Sequence, residues 1–366
     1  MGVSHRRSGT LLRWSAFLVL AIACWPLVAR AQADYPRVRP GAALKFPRDH
    51  GSHPQFRTEW WYITGWLKTA DGRDMGMQVT FFRSRPRLAE DSGSRFAPRQ
   101  LLVAHAALSR PEAGRLLGDQ RAARAGFGLA EAAEGRMDIA IEDWSLKATD
   151  SGYAAEVVAR EFRYALRFEA RQPPFLQGDH GFSRKGPGPA QASYYYSLPQ
   201  LVVKGSVVVE NRAVEVTGEA WLDHEWSSEY LAEDAVGWDW IGINLADGGA
   251  LMAFRVRGRD GGTFWAGGSL RAADGRVRPL RPREVKFIPL RHWRSPRSGA
   301  AYPVALRVEA GPLALDLEPL IDDQELDSRA STGAIYWEGA VRARQGEQAF
   351  GRGYLELTGY WKPLRF

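Results

Sequence analysis

Over most of the chain, hydrophobic and polar residues alternate in short segments rich in Val, Tyr, Phe and Trp. A period of two is typical of β-strands that bury one face. The segments are separated by Gly, by Pro and by Asp-Gly pairs that are common in hairpin turns: Asp71-Gly72, Asp247-Gly248, Asp260-Gly261 and Asp274-Gly275. The pattern therefore predicts an all-β protein of the sandwich or barrel type.

Three segments depart from this pattern. Residues 115–134 are rich in Ala but interrupted by glycines, and we predict a loop there with one helical turn at most. Residues 172–189 and 278–297 are polar and rich in Pro, Gly or Arg. We predict that these two segments are long surface loops or lids.

A faint internal repeat suggests two similar β domains. Glu59-Trp60-Trp61 is followed by a Gly turn and a strand that ends at Arg83, and Trp238-Asp239-Trp240 is followed in the same way by Arg255. Repeated supersecondary units are the sequence signature of a duplicated architecture. We therefore predict an N-terminal domain over residues 32–227 and a C-terminal domain over residues 228–366.

The strand predicted over residues 214–226 places its ionisable residues on opposite faces. His224 shares a face with Leu222 and Trp226, whereas Asp223 and Glu225 point the other way. His224 therefore belongs to the apolar face of this strand.

Two acidic residues also share a face with large apolar side chains. Asp239 alternates with Ile241 and Ile243, and Glu59 alternates with Trp61 and Ile63, although both faces around Glu59 are apolar and the inner one cannot be chosen. An ionised carboxylate on an apolar face must be paired or take a raised pKa. Such groups are candidate general acids, and the alternative is a buried structural pair with His or Arg.

The first 31 residues resemble a secretory signal peptide. Arg6, Arg7 and Arg13 precede an apolar run over residues 14–28, and Ala29-Arg30-Ala31 fits a cleavage site. The alternative is a lipoprotein signal with lipidation at Cys24. No later segment is long and apolar enough to span a membrane, and we expect a periplasmic or secreted protein.

Charge and motifs exclude several classes of protein. The first 31 residues hold four Arg and no acid, which leaves 45 basic against 42 acidic residues, too small an excess to indicate a nucleic-acid partner. We find no serine elbow, His-Glu-x-x-His helix, phosphate loop or dinucleotide fingerprint. His50 and His53 have a possible spacing for metal ligands, but histidines are common in polar loops, and we predict neither a metal nor another cofactor.

The chain is unusually aromatic, with 14 Trp, 12 Tyr and 16 Phe. This content predicts a bulky apolar cavity, although Trp pairs such as Trp60-Trp61 also fit a packed core. The run Tyr194-Tyr195-Tyr196 favours packing on a sheet, with Tyr195 or Tyr196 as possible phenol donors.

Five segments carry a resemblance to a known family: Glu59-Trp60-Trp61-Tyr62, Tyr194-Tyr195-Tyr196-Ser197, the motif Trp221 to Ser228, Gly237-Trp238-Asp239-Trp240 and residues 351–360. They resemble the AttH-like "predicted secreted hydrolases", lipocalin-like proteins related to carotenoid 1,2-hydratase. The resemblance implies two tandem lipocalin-like antiparallel β-barrels with an apolar cavity between or within them. It also implies a bacterial exported protein, often paired with an ABC transporter of the lipoprotein- or macrolide-export type.

The resemblance also implies a site. The hydratases have an Asp-His-x-Trp segment, matched here by Asp223 to Trp226, and a later acidic residue that protonates an alkene, for which Asp239 is the nearest candidate. The predicted catalytic residues are His224, Asp239, Glu59 and Asp223. The predicted substrate contacts are Trp226, Trp60, Trp61, Tyr62, Trp238, Trp240, Tyr195 and Tyr196.

Two functions fit these residues. The first is acid-catalysed hydration or hydrolysis of a hydrophobic, isoprenoid- or lipid-like substrate. The second is a non-catalytic periplasmic carrier, or an accessory of an exporter, which needs the apolar cavity but neither the acid nor the histidine.

Overall fold

The computed structural model describes residues 35–87, 90–229 and 231–364. The predicted signal peptide and Cys24 lie outside the described residues. Within those residues, the helices are three single turns, at Arg48–His50, Pro111–Ala113 and Pro282–Glu284. None of the helices described is long and apolar enough to cross a membrane.

The first part of the described chain forms one large antiparallel sheet. In spatial order it runs β4-β3-β2-β1-β13-β12-β9-β8-β7-β6-β5, with β10 and β11 added beside β12. Strands β3 and β4 also contact β6, so the sheet curls towards closure. The strands are β1 Thr58–Thr69, β2 Asp74–Ser84, β3 Leu101–Ser109, β4 Leu116–Arg124, β5 Ala130–Ala132, β6 Asp138–Ile141, β7 Trp144–Thr149, β8 Gly152–Val158, β9 Phe162–Glu169, β10 Phe175–Leu176, β11 Phe182–Arg184, β12 Ala192–Val209 and β13 Arg212–Ser227.

The second antiparallel sheet follows in the sequence. Its order is β17-β16-β15-β14-β23-β22-β20-β19-β18, with β21 added beside β22. The prediction of an all-β protein with two tandem lipocalin-like antiparallel β-barrels is confirmed: the described chain forms two large antiparallel sheets, one of them nearly barrel-shaped. The strands are β14 Ala235–Leu245, β15 Ala250–Gly258, β16 Thr263–Arg271, β17 Val277–Leu280, β18 Val285–Arg294, β19 Ala301–Ala310, β20 Leu313–Pro319, β21 Glu325–Ser328, β22 Ala334–Gln345 and β23 Gln348–Leu357.

Each sheet encloses its own hydrophobic core, and alternation along the strands produces it. Along β9 the residues are alternately buried and exposed, beginning with buried Phe162, which is the pattern of a strand with one solvated face. Along β1, by contrast, every residue from Trp61 to Leu67 is buried. Strand β1 is buried on both faces because the inner face meets the first core and the outer face meets the second sheet.

The two sheets are joined by an aromatic layer, which we call the inter-sheet layer. Its buried members include Tyr62, Trp66, Phe175, Tyr195, Trp221, Trp240, Phe254 and Tyr354. Hydrogen bonds cross it: Trp66 Nε1 donates to the carbonyl of Gly353 at 2.9 Å, and Trp240 Nε1 donates to the Tyr195 hydroxyl at 3.0 Å. The chain passes from one sheet to the other between Ser227 and Ala235, and the boundary at residue 228 stays a prediction.

The internal repeat has a counterpart in the register of the strands. Glu59 lies opposite Arg83 in the β1–β2 pair, and Asp239 lies opposite Arg255 in the β14–β15 pair. Both pairs are ion pairs, with N–O distances of 2.8 and 2.5 Å. In each sheet, therefore, the first two strands in the sequence are joined by an ion pair between an acidic residue and an Arg.

The predicted loops at residues 115–134, 172–189 and 278–297 are corrected by the structure. The first contains β4 and β5, and the last contains the helical turn Pro282–Glu284, all of β18 and most of β17. The middle segment adds β10 and β11 to β12 and buries Phe175, Gln177 and Lys185. The sequences of these segments do not predict strands because Ala, Gly and Pro have low strand propensity, but pairing with a neighbouring strand overrides propensity.

Candidate functional site

The predicted site residues divide between the two faces of β1, β12 and β13. Glu59, Trp61, Tyr196, His224 and Trp226 lie on the inner face of the first sheet, as the alternation around His224 requires. The others lie on the opposite side, in or against the inter-sheet layer: Trp60, Tyr62, Tyr195, Asp223, Trp238 and Trp240. Asp239 is separate from both groups.

Asp239 is fully engaged in a structural contact of the second sheet. Its oxygens accept hydrogen bonds from Arg255 Nε at 2.5 Å, from Arg257 Nε at 3.1 Å and from the Tyr360 hydroxyl at 3.1 Å. The structure therefore does not bring Asp239 together with His224, and its surroundings are those of a buried ion pair.

On the inner face of the first sheet, His53, Glu59 and His224 form what we call the His–Glu cluster. His53 Nδ1 lies 2.7 Å and His224 Nε2 lies 2.9 Å from the same oxygen, Glu59 Oε1. His53 belongs to the loop before β1, and this loop is fixed next to Glu59 because the backbone N–H of His53 also donates a hydrogen bond to the Glu59 carboxylate. Trp226 stacks on His53 with ring centroids 3.8 Å apart, and Trp61 stacks on His224 at 4.7 Å.

The charges of the His–Glu cluster are set by its contacts. Burial would raise the pKa of the Glu59 carboxyl, but hydrogen bonds from His224 and His53 and the charge of Arg83 hold that pKa well below its usual value. Burial lowers the pKa of His224 to about 4, although the hydrogen bond with Glu59 and its negative charge act to raise that pKa. Glu59 is therefore an ionised carboxylate at neutral pH and a poor proton donor, and His224 is a neutral imidazole.

A second group of acids, which we call the carboxyl cluster, lies between the sheets. Glu338 on β22 faces Glu356 on β23, so their side chains leave the same face of the sheet as direct cross-strand neighbours. Burial and the facing charge of Glu356 raise the pKa of Glu338 well above its usual value. Burial, with the nearby charges of Asp223 and Glu225, raises the pKa of Glu356 to about 7. Two like charges this close cannot both ionise readily, so the pair holds a proton at neutral pH.

Asp223 and Glu225 complete the carboxyl cluster from β13. Asp223 accepts hydrogen bonds from the Tyr195 hydroxyl and from Trp221 Nε1, both at 2.7 Å, and burial raises its pKa to about 7. Glu225 is paired with the buried ammonium of Lys185 at 2.8 Å. The carboxyl cluster therefore contains carboxyl groups with a raised pKa, such as Asp223, next to Glu225, which is paired with a cation.

Sequence reasoning missed Glu338 and Glu356. Alternation could have found each of them singly, because Glu338 shares a face with Tyr336 and Ala340, and Glu356 shares a face with Tyr354. Their opposition across β22 and β23 depends on strand register, which a single sequence does not contain.

The raised pKa of Glu356 leads to a prediction about stability. A carboxyl whose pKa is higher in the folded state loses stabilisation as pH rises from its unfolded value, near 4, through its folded value. Gln cannot ionise, so Glu356→Gln is expected to gain stability relative to wild type between pH 5 and pH 8, by on the order of 2 kcal/mol at 1.4 kcal/mol per pKa unit. Urea unfolding at pH 5 and pH 8 measures the free energy of unfolding of wild type and variant. The exposed Glu215→Gln serves as control. A variant that differs from wild type by the same free energy at both pH values would contradict the prediction.

Fold and site together define an antiparallel β protein with two lipocalin-like sheets and a buried acid cluster between them. The sequence matches the AttH-like family model over residues 37–360, and the chain belongs to this family. No curated protein matches the sequence.

Several solved structures are similar to this chain, and two of them are informative. A protein from Nitrosomonas europaea assigned to AttH shares 52% identity, with a TM-score of 0.84, over 89% of this chain and 99% of its own. Kievitone hydratase from Nectria haematococca shares 13% identity, with a TM-score of 0.67, over 90% of this chain and 97% of its own. At that identity the second likeness extends to the fold alone.

Proposed function

We propose that the protein adds water to an apolar, isoprenoid- or lipid-like substrate, or cleaves such a substrate with water, in the inter-sheet layer. The observation that carries the proposal is the Glu338–Glu356 pair, in which the buried Glu338 carboxyl faces the half-buried Glu356 and the two hold a proton among aromatic side chains. A general acid works best with a pKa near the operating pH. The fold shared with a hydratase is consistent with this chemistry.

The hydration is a two-step addition. The Glu338–Glu356 pair donates a proton to one alkene carbon, which leaves a cation on the other. The faces of Trp238 and Trp240 stabilise that cation, by about 2 kcal/mol in a desolvated site. Water adds to the cation, and Glu225, the carboxylate paired with Lys185, accepts the proton that the water releases. In a hydrolysis the same acid protonates the leaving group instead.

The protein is proposed to act outside the cytoplasm. Residues 1–31 have the pattern of a signal peptide, which supports export to the periplasm or the exterior. In this proposal an ABC exporter supplies the substrate or accepts the product.

An isotope experiment tests the proposed reaction. The purified protein is incubated with a bacterial lipid and isoprenoid extract in ¹⁸O-water, and products are analysed by mass spectrometry beside the variant Glu338→Gln/Glu356→Gln. We expect label in a product formed by wild type and not by the double variant. A lipid that co-purifies equally with both proteins, without labelled product, would overturn the proposal in favour of the carrier.

A further inference from the structure

The mechanism above does not use the His–Glu cluster, although its geometry is that of a ligand set. His53, Glu59 and His224 each offer one ligand atom, and all three atoms lie within 4.8 Å of one another. A tetrahedral ion bound at about 2.0–2.1 Å separates its ligand atoms by roughly 3.4 Å. The two contacts to Glu59 Oε1, 2.7 and 2.9 Å, are slightly shorter than that separation and need only a small outward movement.

The far atom of each candidate ligand is already held by a neighbour. His53 Nε2 faces Asp49 Oδ1 at 3.5 Å, and His224 Nδ1 lies 3.2 Å from the Tyr196 hydroxyl. The other oxygen of Glu59, Oε2, accepts a hydrogen bond from Arg83 Nε at 2.8 Å. Protein metal sites have this outer layer of contacts, which orients a histidine through a carboxylate or hydroxyl behind it.

The rings are also fixed in place before any ion arrives. Trp226 stacks on His53 with only 8° between the planes, and Trp61 stacks on His224 with 20°. His53 is 13% exposed at its side chain, whereas Glu59 and His224 are completely buried. The cluster is therefore closed at Glu59 and His224 and reaches solvent at His53.

We propose that His53, Glu59 and His224 bind a divalent transition-metal ion of the Zn²⁺ type. Two imidazoles and one carboxylate are ligands that suit such ions, and the count of three leaves a fourth position open. In the ion-bound form each imidazole presents a lone pair to the metal, His53 through Nδ1 and His224 through Nε2. The opposite ring N–H groups then donate to Asp49 and Tyr196. This site is separate from the inter-sheet layer.

Metal analysis of the purified full chain, without an affinity tag, tests this site. The protein is treated with a chelator, incubated with Zn²⁺ or Co²⁺, separated from free ion and analysed for metal, and Co²⁺ coordination is read from its visible absorption. We expect about one ion per chain. His53→Ala is expected to bring the bound ion close to zero, while His180→Ala, at a side chain 92% exposed, retains it.

A second variant covers the case in which His53→Ala does not fold. Asp49→Asn keeps all three ligands and removes the carboxylate behind His53, and we expect it to weaken Zn²⁺ binding by about 10–100-fold. The proposal is overturned if the wild-type protein binds neither ion, or if both variants bind as tightly as wild type. None of these readouts depends on turnover, so they stand apart from the isotope experiment.

Discussion

Glu356→Gln is expected to slow the water-dependent reaction by about 10²–10⁴-fold, the usual contribution of a positioned general acid. Gln keeps the shape of the side chain but carries no acidic proton, and it leaves Glu338 without the facing charge that raises its pKa. Rates are followed by ¹⁸O incorporation into the product that the isotope experiment identifies.

The pH dependence provides a second signature of the same acid. The wild-type rate is expected to fall as pH rises above 7, because the pair then loses the proton it must donate. Glu215→Gln, on the exposed face of β13, serves as the matched control and should keep the wild-type rate and profile. A Glu356→Gln protein as active as this control would assign the acid to another residue.

Arg83→Met is expected to destabilise the fold by about 3–5 kcal/mol, the usual cost of removing one partner from a buried ion pair. Arg83 is completely buried, pairs with Glu59 at 2.8 Å and also donates to the carbonyl oxygens of Phe56 and His53. Met fills much of the same volume, but leaves the Glu59 carboxylate without its cation and these carbonyl oxygens without their donor.

Chemical denaturation of the chelator-treated protein measures this loss, so that no bound ion contributes to the result. The control is Arg307→Met, which removes an exposed partner of Asp316 and should cost at most about 1 kcal/mol. If the two substitutions cost the same, the Glu59–Arg83 pair does not stabilise the first sheet.

The sequence was most informative where one face of a strand is clearly apolar. Along β13 the alternation correctly separated His224 and Trp226 from Asp223 and Glu225. It failed along β1, where both faces of Trp60 to Trp66 are apolar. The reason is physical: this strand lies between a core and a second sheet, so neither face marks the solvent.

The parts of the site that sequence missed depend on contacts between distant segments. His53 reaches Glu59 because a loop folds back over the end of the sheet, and Glu338 meets Glu356 because of the register between β22 and β23. The Asp239 hypothesis rested on a correct placement among aliphatic residues. What alternation could not supply was the identity of the charges opposite, Arg255 and Arg257.

The contrast between β1 and β9 decides where a spectroscopic reporter can be attached. Between Trp61 and Leu67 every side-chain position of β1 is enclosed, so a fluorophore or spin label there would displace packed residues. On β9 each second position, such as Ala165, faces solvent. Since Cys24 is the only cysteine in the sequence and lies in the predicted signal peptide, Ala165→Cys in the processed chain would carry a single label.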